Sequence, residues 1–141
     1  YVRSQLSQDA ARGFATAVVG FATAEPEHVV GYYTLCAASV TLTELPEGLR
    51  RKLPRYQAVP AIRLGRLAVA SAWQNRHVGT LLLIDALKRA YNYELAWALF
   101  LVDAKNEHVE RFYKKFFFKP FLDRPQSLWM HRKQLKRLIS A

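Results

Sequence analysis

The chain has 141 residues, of which 51% are apolar, 23% are charged and 13% are aromatic. This length and composition predict a single folded domain and exclude an intrinsically disordered chain. No window of 18 uninterrupted apolar residues occurs, so we expect no transmembrane helix and a soluble, cytoplasmic protein. The single cysteine, Cys36, allows no internal disulfide, which agrees with that location.

The positive charge is concentrated in the last quarter of the chain. The net charge of the whole chain is +10, and residues 105–141 contain 10 basic but only 3 acidic residues. A field of this sign attracts polyanions, and it therefore favours nucleic acid or a phosphorylated cofactor as a partner. Lysines that only keep the protein soluble are the alternative explanation.

Nothing in the sequence divides the chain, because it contains no repeat, no low-complexity tract and no linker. We therefore predict one domain over residues 1–141. The chain opens on Tyr1 and not on Met, so we expect this domain to lack its natural N-terminal element.

The first half of the chain predicts a short helix followed by strands. Apolar residues recur every three or four positions in residues 4–13, which predicts a helix that ends at Gly13. Residues 14–23 and 28–43 are rich in strand-forming residues, and the turn signal at residues 25–27 predicts that they pair as an antiparallel hairpin.

A surface connection and a third strand complete this half. Residues 44–60 contain three prolines and a basic cluster, which predicts a connection that includes a helical turn. Residues 61–70 then predict a strand.

The second half predicts helices and strands in alternation. Apolar periodicity from Val78 to Ala90 predicts a helix of about four turns. Residues 95–104 are apolar on both faces, as in a central strand. Asn106 can cap a helix over residues 107–115. The residues of this helix expected to face inward are Val109, Phe112 and Phe116.

Two short strands and a tail are predicted at the end of the chain. Residues 116–121 and 127–132 read as strands around the turn at residues 123–125, and residues 133–141 form a basic amphipathic tail. The order of elements predicts an α/β (α+β) fold class, with a mixed, mostly antiparallel sheet and flanking helices.

The most informative segment is the turn between the strand that ends near residue 70 and the long helix. A helix that opens after such a turn directs unpaired N–H groups and a partial positive charge at one point, where phosphate binds readily. Gly79 lets the main chain approach a ligand, and Gln74, Arg76 and the Thr80 hydroxyl could donate hydrogen bonds to phosphate oxygens. The alternative is an ordinary strand-to-helix turn without a ligand.

Several motifs in this order carry a family resemblance. They are Arg-Leu-Ala-Val at residues 66–69, Gln74 followed by Gly79, Leu-Leu-Ile-Asp-Ala at residues 82–86, Leu-Phe-Leu-Val-Asp-Ala at residues 99–104, Asn106, and Phe-Tyr-Lys-Lys-Phe-Phe-Phe at residues 112–118. Together they resemble the GCN5-related N-acetyltransferase (GNAT) superfamily. Val-Gly-Tyr-Tyr-Thr-Leu at residues 30–35 and the basic connection around Leu53-Pro54 resemble the acetyltransferase toxins of bacterial type II toxin–antitoxin modules.

The resemblance implies a single GNAT-type domain that uses acetyl-CoA as its co-substrate and no metal. It implies that the pyrophosphate lies on residues 74–80, and that the pantetheine arm lies between two splayed central strands against the main chain of residues 67–69. The implied cofactor-binding residues are Leu67, Ala68, Val69, Gln74, Asn75, Arg76, His77, Val78, Gly79, Thr80, Asn106 and Phe112. No histidine or cysteine spacing in the sequence suggests a metal site.

The resemblance also implies that Tyr113 is the general acid that protonates the leaving CoA thiolate. A phenol with a pKa near 10 can donate a proton to a thiolate within hydrogen-bond reach. The alternative is a helix tyrosine that only buries its ring.

The chain departs from the family pattern in two places. His77 and Asn75 stand where the family loop often has glycine, so we expect their side chains to weaken cofactor binding, unless His77 donates to phosphate. Phe117 stands where the family commonly has glycine between two aromatic residues, which we expect to alter a bulge behind Tyr113.

In the toxin relatives the acceptor is the α-amino group of aminoacyl-tRNA, and its acetylation blocks translation. No convincing carboxylate base is present, and a weakly basic aminoacyl amine does not need one. The cations expected to hold tRNA are Arg50, Arg51, Lys52, Arg55 and Arg63, with Lys133, Lys136 and Arg137 of the tail. The expected partners are a ribbon-helix-helix antitoxin, operator DNA bound through it, and a second copy of the chain in a homodimer.

Two alternatives remain open at this stage. The chain could be a GNAT acetyltransferase of a small-molecule or protein amine, which would not need the cluster at residues 50–55. It could also be an impaired member, disrupted at His77 and Phe117, that acts only as a binding partner in a repressor complex.

Overall fold

The computed structural model describes residues 12–24, 27–54 and 58–140 of the chain. The strands are β1 (Thr16–Phe21), β2 (Val29–Thr41), β3 (Ala58–Val69), β4 (Leu99–Asp103), β5 (Lys119–Pro120) and β6 (Ser127–His131). The α-helices are α1 (Glu47–Arg50), α2 (Val78–Tyr91), α3 (Glu107–Lys114) and α4 (Arg132–Ser140). Short 3-10 turns span Leu42–Glu44 and Ser71–Trp73. The predicted helix over residues 4–13 lies almost entirely outside the described residues.

The six strands form one sheet in the order β1-β2-β3-β4-β6-β5. Strands β1 and β2 pair antiparallel with Thr16 opposite Leu35, which confirms the predicted hairpin. Strand β6 pairs antiparallel with both β4 and β5. Strands β3 and β4 are neighbours joined through helix α2, the connection that a parallel pair requires. The predicted α/β fold with a mixed sheet is thus confirmed.

One compact unit comprises the chain up to Cys36 and residues Leu64–Asn92. In this unit, α2 packs on the β1–β2 hairpin at two glycines. These are Gly20 and Gly31, which are register partners in the hairpin. A Cβ atom on Gly31 would lie 2.7 Å from Leu82 Cδ1 and 2.6 Å from the Ala68 carbonyl oxygen. Glycine therefore lets Leu82 of α2 approach the hairpin closely.

The other compact unit comprises Ala37–Arg63 and Tyr93–Ala141. The first four residues of β4 are buried, as predicted for a central strand with apolar side chains on both faces. The buried apolar cluster of this unit consists of Val40, Leu45, Leu49, Leu53, Val59, Ala61, Leu99, Leu101, Phe121 and Trp129. Burial of these side chains is the main favourable contribution to folding of the unit.

Several predicted boundaries are wrong. Strand β3 begins three residues earlier than predicted, and the carbonyl of Pro60 in it accepts the N–H of Ala98 at 2.9 Å. Strand β4 begins four residues later than predicted, since Leu95 is 66% exposed and does not belong to the buried strand. Strand β5 spans only Lys119–Pro120, because the backbone at Phe117 turns into the left-handed region.

The predicted helix over residues 107–115 is present as α3, but its buried face differs from the prediction. Its fully packed residue is Tyr113, whereas the three residues expected to face inward, Val109, Phe112 and Phe116, are only half-buried. The basic tail forms α4, where Leu135 is completely buried, so its amphipathic character is confirmed. Within the described ranges, no helix has both the length and the apolar content to cross a membrane.

Candidate functional site

The N-terminus of α2 presents its first-turn N–H groups without a side-chain cap. His77 is the N-cap residue, with φ 61° and ψ 18°, and its side chain makes no capping hydrogen bond. The His77 carbonyl accepts the first helical hydrogen bond, from the N–H of Leu81 at 3.1 Å. The amides of the first turn are therefore available for an anion, and the dipole of this 14-residue helix adds partial positive charge.

Two residues of the preceding turn adopt the left-handed conformation that glycine prefers. Asn75 has φ 63° and His77 has φ 61°. These are the two positions where the family resemblance predicts glycine, so the backbone shape is the glycine-like one although the side chains differ. Asparagine and histidine tolerate positive φ better than most residues, which makes the turn accessible at a modest cost.

Two of the predicted phosphate donors already have partners within this turn. Gln74 Nε2 donates to the carbonyl oxygen of Val69 at 3.3 Å and so connects the turn to the end of β3. The Arg76 guanidinium lies over the Trp73 ring, 4.9 Å from its centroid. Leu67, Ala68 and Val69 are half-buried in β3, and residues 78–80 are half-buried at the start of α2.

Tyr113 is the most deeply buried residue of α3, with 4% of its surface exposed. Its ring packs edge-on against Phe112 and Phe118, at centroid distances of 5.3 and 5.6 Å. Burial, and to a lesser extent the negative charge of Asp103, raises the pKa of Tyr113 to about 12. The phenol therefore keeps its proton at neutral pH.

The residues around Tyr113 occupy defined positions. The Asn106 side chain accepts the N–H of Val109 at 3.0 Å, which confirms it as the cap of α3. Beyond the helix, the N–H of Phe117 donates to the Lys114 carbonyl, and Phe117 itself has φ 71° with 57% of its surface exposed. Phe117 thus lies in a left-handed turn after α3, and its expected effect on a bulge behind Tyr113 stays a prediction.

The cations predicted to hold tRNA differ in their surroundings within the described residues. Arg51 pairs with Glu47 at 2.7 Å, and Arg63 pairs with Asp103 at 2.6 Å, so both charges have an acidic partner. The buried Nε of Arg50 has no hydrogen-bond partner among residues 12–24, 27–54 and 58–140. Lys52 lines a groove in the second unit. Arg55 lies outside the described residues.

Sequence reasoning missed a groove of about 690 Å³ in the second unit. Residues of α1, the segment 117–119, β6 and α4 line it, and we call it the basic groove. Its basic lining residues are Lys52, Lys119, Lys133 and Arg137, and Phe117, Phe118 and Trp129 also line it. His131 also lines it, and burial together with the charges of Lys133 and Lys52 lowers the pKa of this imidazole. The alternation of aromatic and basic residues after residue 116 is the signal that could have indicated it.

Sequence reasoning also missed a polar network in the first unit. The hydroxyl of the fully buried Tyr33 donates to Asp85 Oδ2 at 2.5 Å and accepts from Arg89 Nε at 3.1 Å. Burial and the Asp85 carboxylate raise the pKa of Tyr33 to about 12. The four-residue spacing of Asp85 and Arg89 on α2 is the only local sign of this network.

The described residues contain no group of three histidine, cysteine, aspartate or glutamate side chains that could hold a metal ion.

Residues 4–118 match the family model described as acetyltransferase (GNAT) family. A relative, the tRNA-acetylating toxin of Mycobacterium tuberculosis (strain ATCC 25618 / H37Rv), is 34% identical over 121 residues, which make up 84% of this chain and 72% of the relative. The matched range of the family model contains both the turn at residues 74–80 and Tyr113.

Two solved structures have the same fold. AtaT complexed with acetyl-methionyl-tRNAfMet superposes with a TM-score of 0.86 and 26% identity, covering 97% of this chain and 82% of that chain. AtaTR bound with AcCoA superposes with a TM-score of 0.82 and 25% identity, covering 97% of this chain and 81% of that chain.

Proposed function

The chain belongs to the acetyltransferase (GNAT) family, and we propose that it is a toxin that transfers the acetyl group of acetyl-CoA to the α-amino group of an aminoacyl-tRNA. The family makes it an N-acetyltransferase. The observation that carries the proposal is the uncapped N-terminus of α2 behind the left-handed residues Asn75 and His77. The similarity to a tRNA-acetylating toxin supports the choice of acceptor.

The turn fits the diphosphate of acetyl-CoA. An anion at a helix N-terminus is stabilised by the exposed N–H groups and by the helix dipole, and here no side chain competes for those donors. Val78, Gly79 and Thr80 would supply the main-chain amides. Gln74 has a second N–H beyond the one donated to Val69, and Arg76 keeps its N–H donors while it lies over Trp73, so both could donate at the edge. Acetyl-CoA brings the acetyl group as a thioester, which is activated toward attack by an amine.

Tyr113 is proposed to hold the proton that the leaving sulfur needs. With a pKa of about 12 the phenol is protonated at any physiological pH, so its Oη–H is available to donate. The amine forms the new C–N bond as the C–S bond breaks, and the proton lost by the amine balances the one gained by the thiolate. Because a phenol with this pKa is a weaker acid than a thiol, the transfer to sulfur is uphill, and the phenolate that it leaves readily regains a proton from the acceptor's ammonium group or from solvent.

No carboxylate base is assigned to the acceptor amine. Asp103 is the acidic residue whose charge acts on Tyr113, but its oxygens already accept hydrogen bonds from Arg63 at 2.6 Å and Ser127 at 2.8 Å. An aminoacyl ester has a less basic amine than lysine and is partly neutral at physiological pH, so solvent can take its proton. This supports an aminoacyl acceptor over a lysine side chain.

The high positive charge supports an anionic substrate and an anionic neutralising partner. We propose tRNA as the substrate and, as the neutralising partner, an antitoxin with a ribbon-helix-helix DNA-binding part and an acidic tail, which would also bring the chain to operator DNA. The net charge of +10 is the feature that both partners would match.

The decisive experiment is incubation of the protein with acetyl-CoA and total charged tRNA, followed by mass spectrometry of the aminoacyl ends. Acetylated aminoacyl ends are expected with the wild-type protein and with Tyr93→Phe, whose tyrosine is 55% exposed and serves as the matched control. Tyr113→Phe should give little product. A wild-type protein that binds acetyl-CoA by calorimetry but modifies no tRNA would contradict the proposed acceptor.

A further inference from the structure

We propose that the basic groove is a subsite for an unpaired strand of nucleic acid, in which Phe117 stacks on a base and the surrounding cations hold the phosphates. The inference rests on the proposed function, because it assigns to the substrate RNA a place on the protein. It names Phe117 as the residue that selects a single strand over a duplex.

The first observation is the charge of the groove. Four cations line it, Lys52, Lys119, Lys133 and Arg137, and none of the described residues that line it is acidic. Elsewhere in the same unit, Arg51 and Arg63 are paired with carboxylates. The groove is therefore a region of this unit where several positive charges converge without acidic neighbours in its wall, as a phosphate backbone requires.

The second observation is the conformation of Phe117. A bulky side chain at φ 71° is an outlier, and such strained residues persist where a functional role compensates for them. The ring gains little from burial, since 57% of the residue is exposed. An exposed aromatic ring among cations is the arrangement on which single-stranded bases stack.

The third observation is a further cost in the same groove. Trp129 lines it, and its buried indole Nε1–H has no hydrogen-bond partner among the described residues. The Lys119 ammonium lies over the Trp129 ring, 5.8 Å from the centroid. A strained residue and an unsatisfied donor in one groove are typical of a surface shaped for a ligand.

A single strand fits these features better than a duplex or an acidic peptide. Inside a duplex both faces of a base are covered by its neighbours, whereas an unpaired base can offer a face to Phe117. The aminoacyl group of a charged tRNA is carried on an unpaired end. An acidic peptide would use the cations but has no need of an exposed ring. The groove also adjoins Tyr113, whose ring packs on Phe118 in the groove wall.

The experiment is fluorescence anisotropy with a short labelled single-stranded RNA, in the absence of acetyl-CoA. Phe117→Gly loses one stacked base, so its affinity for the RNA should be lower than that of the wild type by between about fivefold and about 150-fold. Phe117→Tyr keeps the ring and should bind like the wild type. Phe21→Ala is the matched control, because Phe21 is 54% exposed but lies in β1.

Two further measurements separate stacking from misfolding and from charge. The thermal midpoint of Phe117→Gly should not fall, since glycine relieves the left-handed strain. Lys133→Ala should reduce the slope of log K against log salt by about 0.7, as expected for one single-strand phosphate contact, whereas Lys105→Ala, outside the groove, should leave the slope unchanged.

The proposal is overturned if Phe117→Gly binds the RNA as tightly as the wild type, or if a duplex of the same sequence binds equally well. It is also overturned if a polyglutamate peptide, and not the RNA, shows the dependence on Phe117. Wild-type protein that binds RNA through Phe117 but acetylates no aminoacyl-tRNA would refute the proposed function alone. Equal KM values of wild type and Phe117→Gly for charged tRNA would refute the groove alone.

Discussion

Two turns in the described part of the chain hold non-glycine residues in the left-handed region, and they differ in the side chains they place there. The turn before α2 uses Asn75 and His77, at φ 63° and 61°, and the turn after α3 uses Phe117, at φ 71°. Asparagine and histidine are among the residues that enter this region most readily, whereas phenylalanine is not. Residue type therefore accounts for most of the left-handed conformation in the turn before α2. It does not account for this conformation in the turn after α3.

The two turns differ in which part of the residue, backbone or side chain, is available to a ligand. In the turn before α2, the backbone shape itself is useful, because it exposes the N–H groups of the helix and any small or tolerant residue can provide it. In the turn after α3, a glycine would provide the same backbone at lower cost, and left-handed conformation costs a side-chain-bearing residue about 1–2 kcal/mol. In the proposed groove subsite, the ring of Phe117 is the part of the second turn that contacts the ligand.

The largest expected effect concerns chemistry and not either turn. Tyr113→Phe removes the proposed proton donor while keeping the buried ring, so kcat should fall by roughly 10²–10⁴. Calorimetric affinity for acetyl-CoA should stay close to that of the wild type, since binding is assigned to the turn before α2. A kcat within about threefold of the wild type would contradict the role of Tyr113.

The second prediction concerns Gly31, which lets α2 pack closely on the β1–β2 hairpin. A Cβ on Gly31 would lie 2.6 Å from the Ala68 carbonyl oxygen and 2.7 Å from Leu82, so Gly31→Ala should reduce the free energy of unfolding by about 1–3 kcal/mol. Gly48→Ala is the control, because a Cβ there would meet nothing within 4 Å. Urea unfolding of both variants measures the difference. Equal stabilities would mean that α2 does not depend on the glycine.

A third effect appears at high pH. The folded-state pKa values of Tyr33 and Tyr113 are about 12, against about 10 in an unfolded chain. Above pH 10 the unfolded chain loses these protons while the folded protein keeps them. Stability that is complete below pH 10 is therefore lost as pH rises toward 12, by up to about 1.4 kcal/mol per pH unit for each tyrosine.

Urea unfolding between pH 9 and 12 measures this loss. Tyr113→Phe should remove one proton from the dependence and flatten it, whereas Phe21→Ala, at an exposed position without a titratable group, should leave it unchanged. An identical pH dependence in wild type and Tyr113→Phe would show that Tyr113 is not protected from ionisation.

The features of the fold that could be predicted from the sequence are those that depend on residues close together in the chain. The periodicity of α2, the Asn106 cap and the paired strands of the hairpin all depend on residues a few positions apart, and each is present. The turn at residues 74–80 was recognisable for the same reason, because a strand, a short loop and a helix follow one another in the chain. The sequence marked Asn75 and His77 as departures from the family's glycines, but their left-handed backbone was found only in the structure.

Features that depend on distant residues were not predictable. Tyr33 and Asp85 are 52 positions apart, and the basic groove combines α1, β6 and α4. The buried face of α3 was misjudged because helical periodicity does not show which of several adjacent aromatic residues the rest of the unit covers. The end of β5 was misjudged because a run of phenylalanines predicts a strand, whereas the left-handed Phe117 interrupts it.

The smallest expected effect returns to the first turn. His77→Gly should raise the free energy of unfolding by about 1 kcal/mol, because glycine enters the left-handed region without a steric penalty, and Asn75→Gly should raise it by less. If the His77 side chain also obstructs the diphosphate, calorimetric affinity for acetyl-CoA should increase a few-fold in His77→Gly. A decrease would show instead that the imidazole donates to phosphate, and this turn would then resemble the Phe117 turn, with the side chain and not the backbone as its functional part.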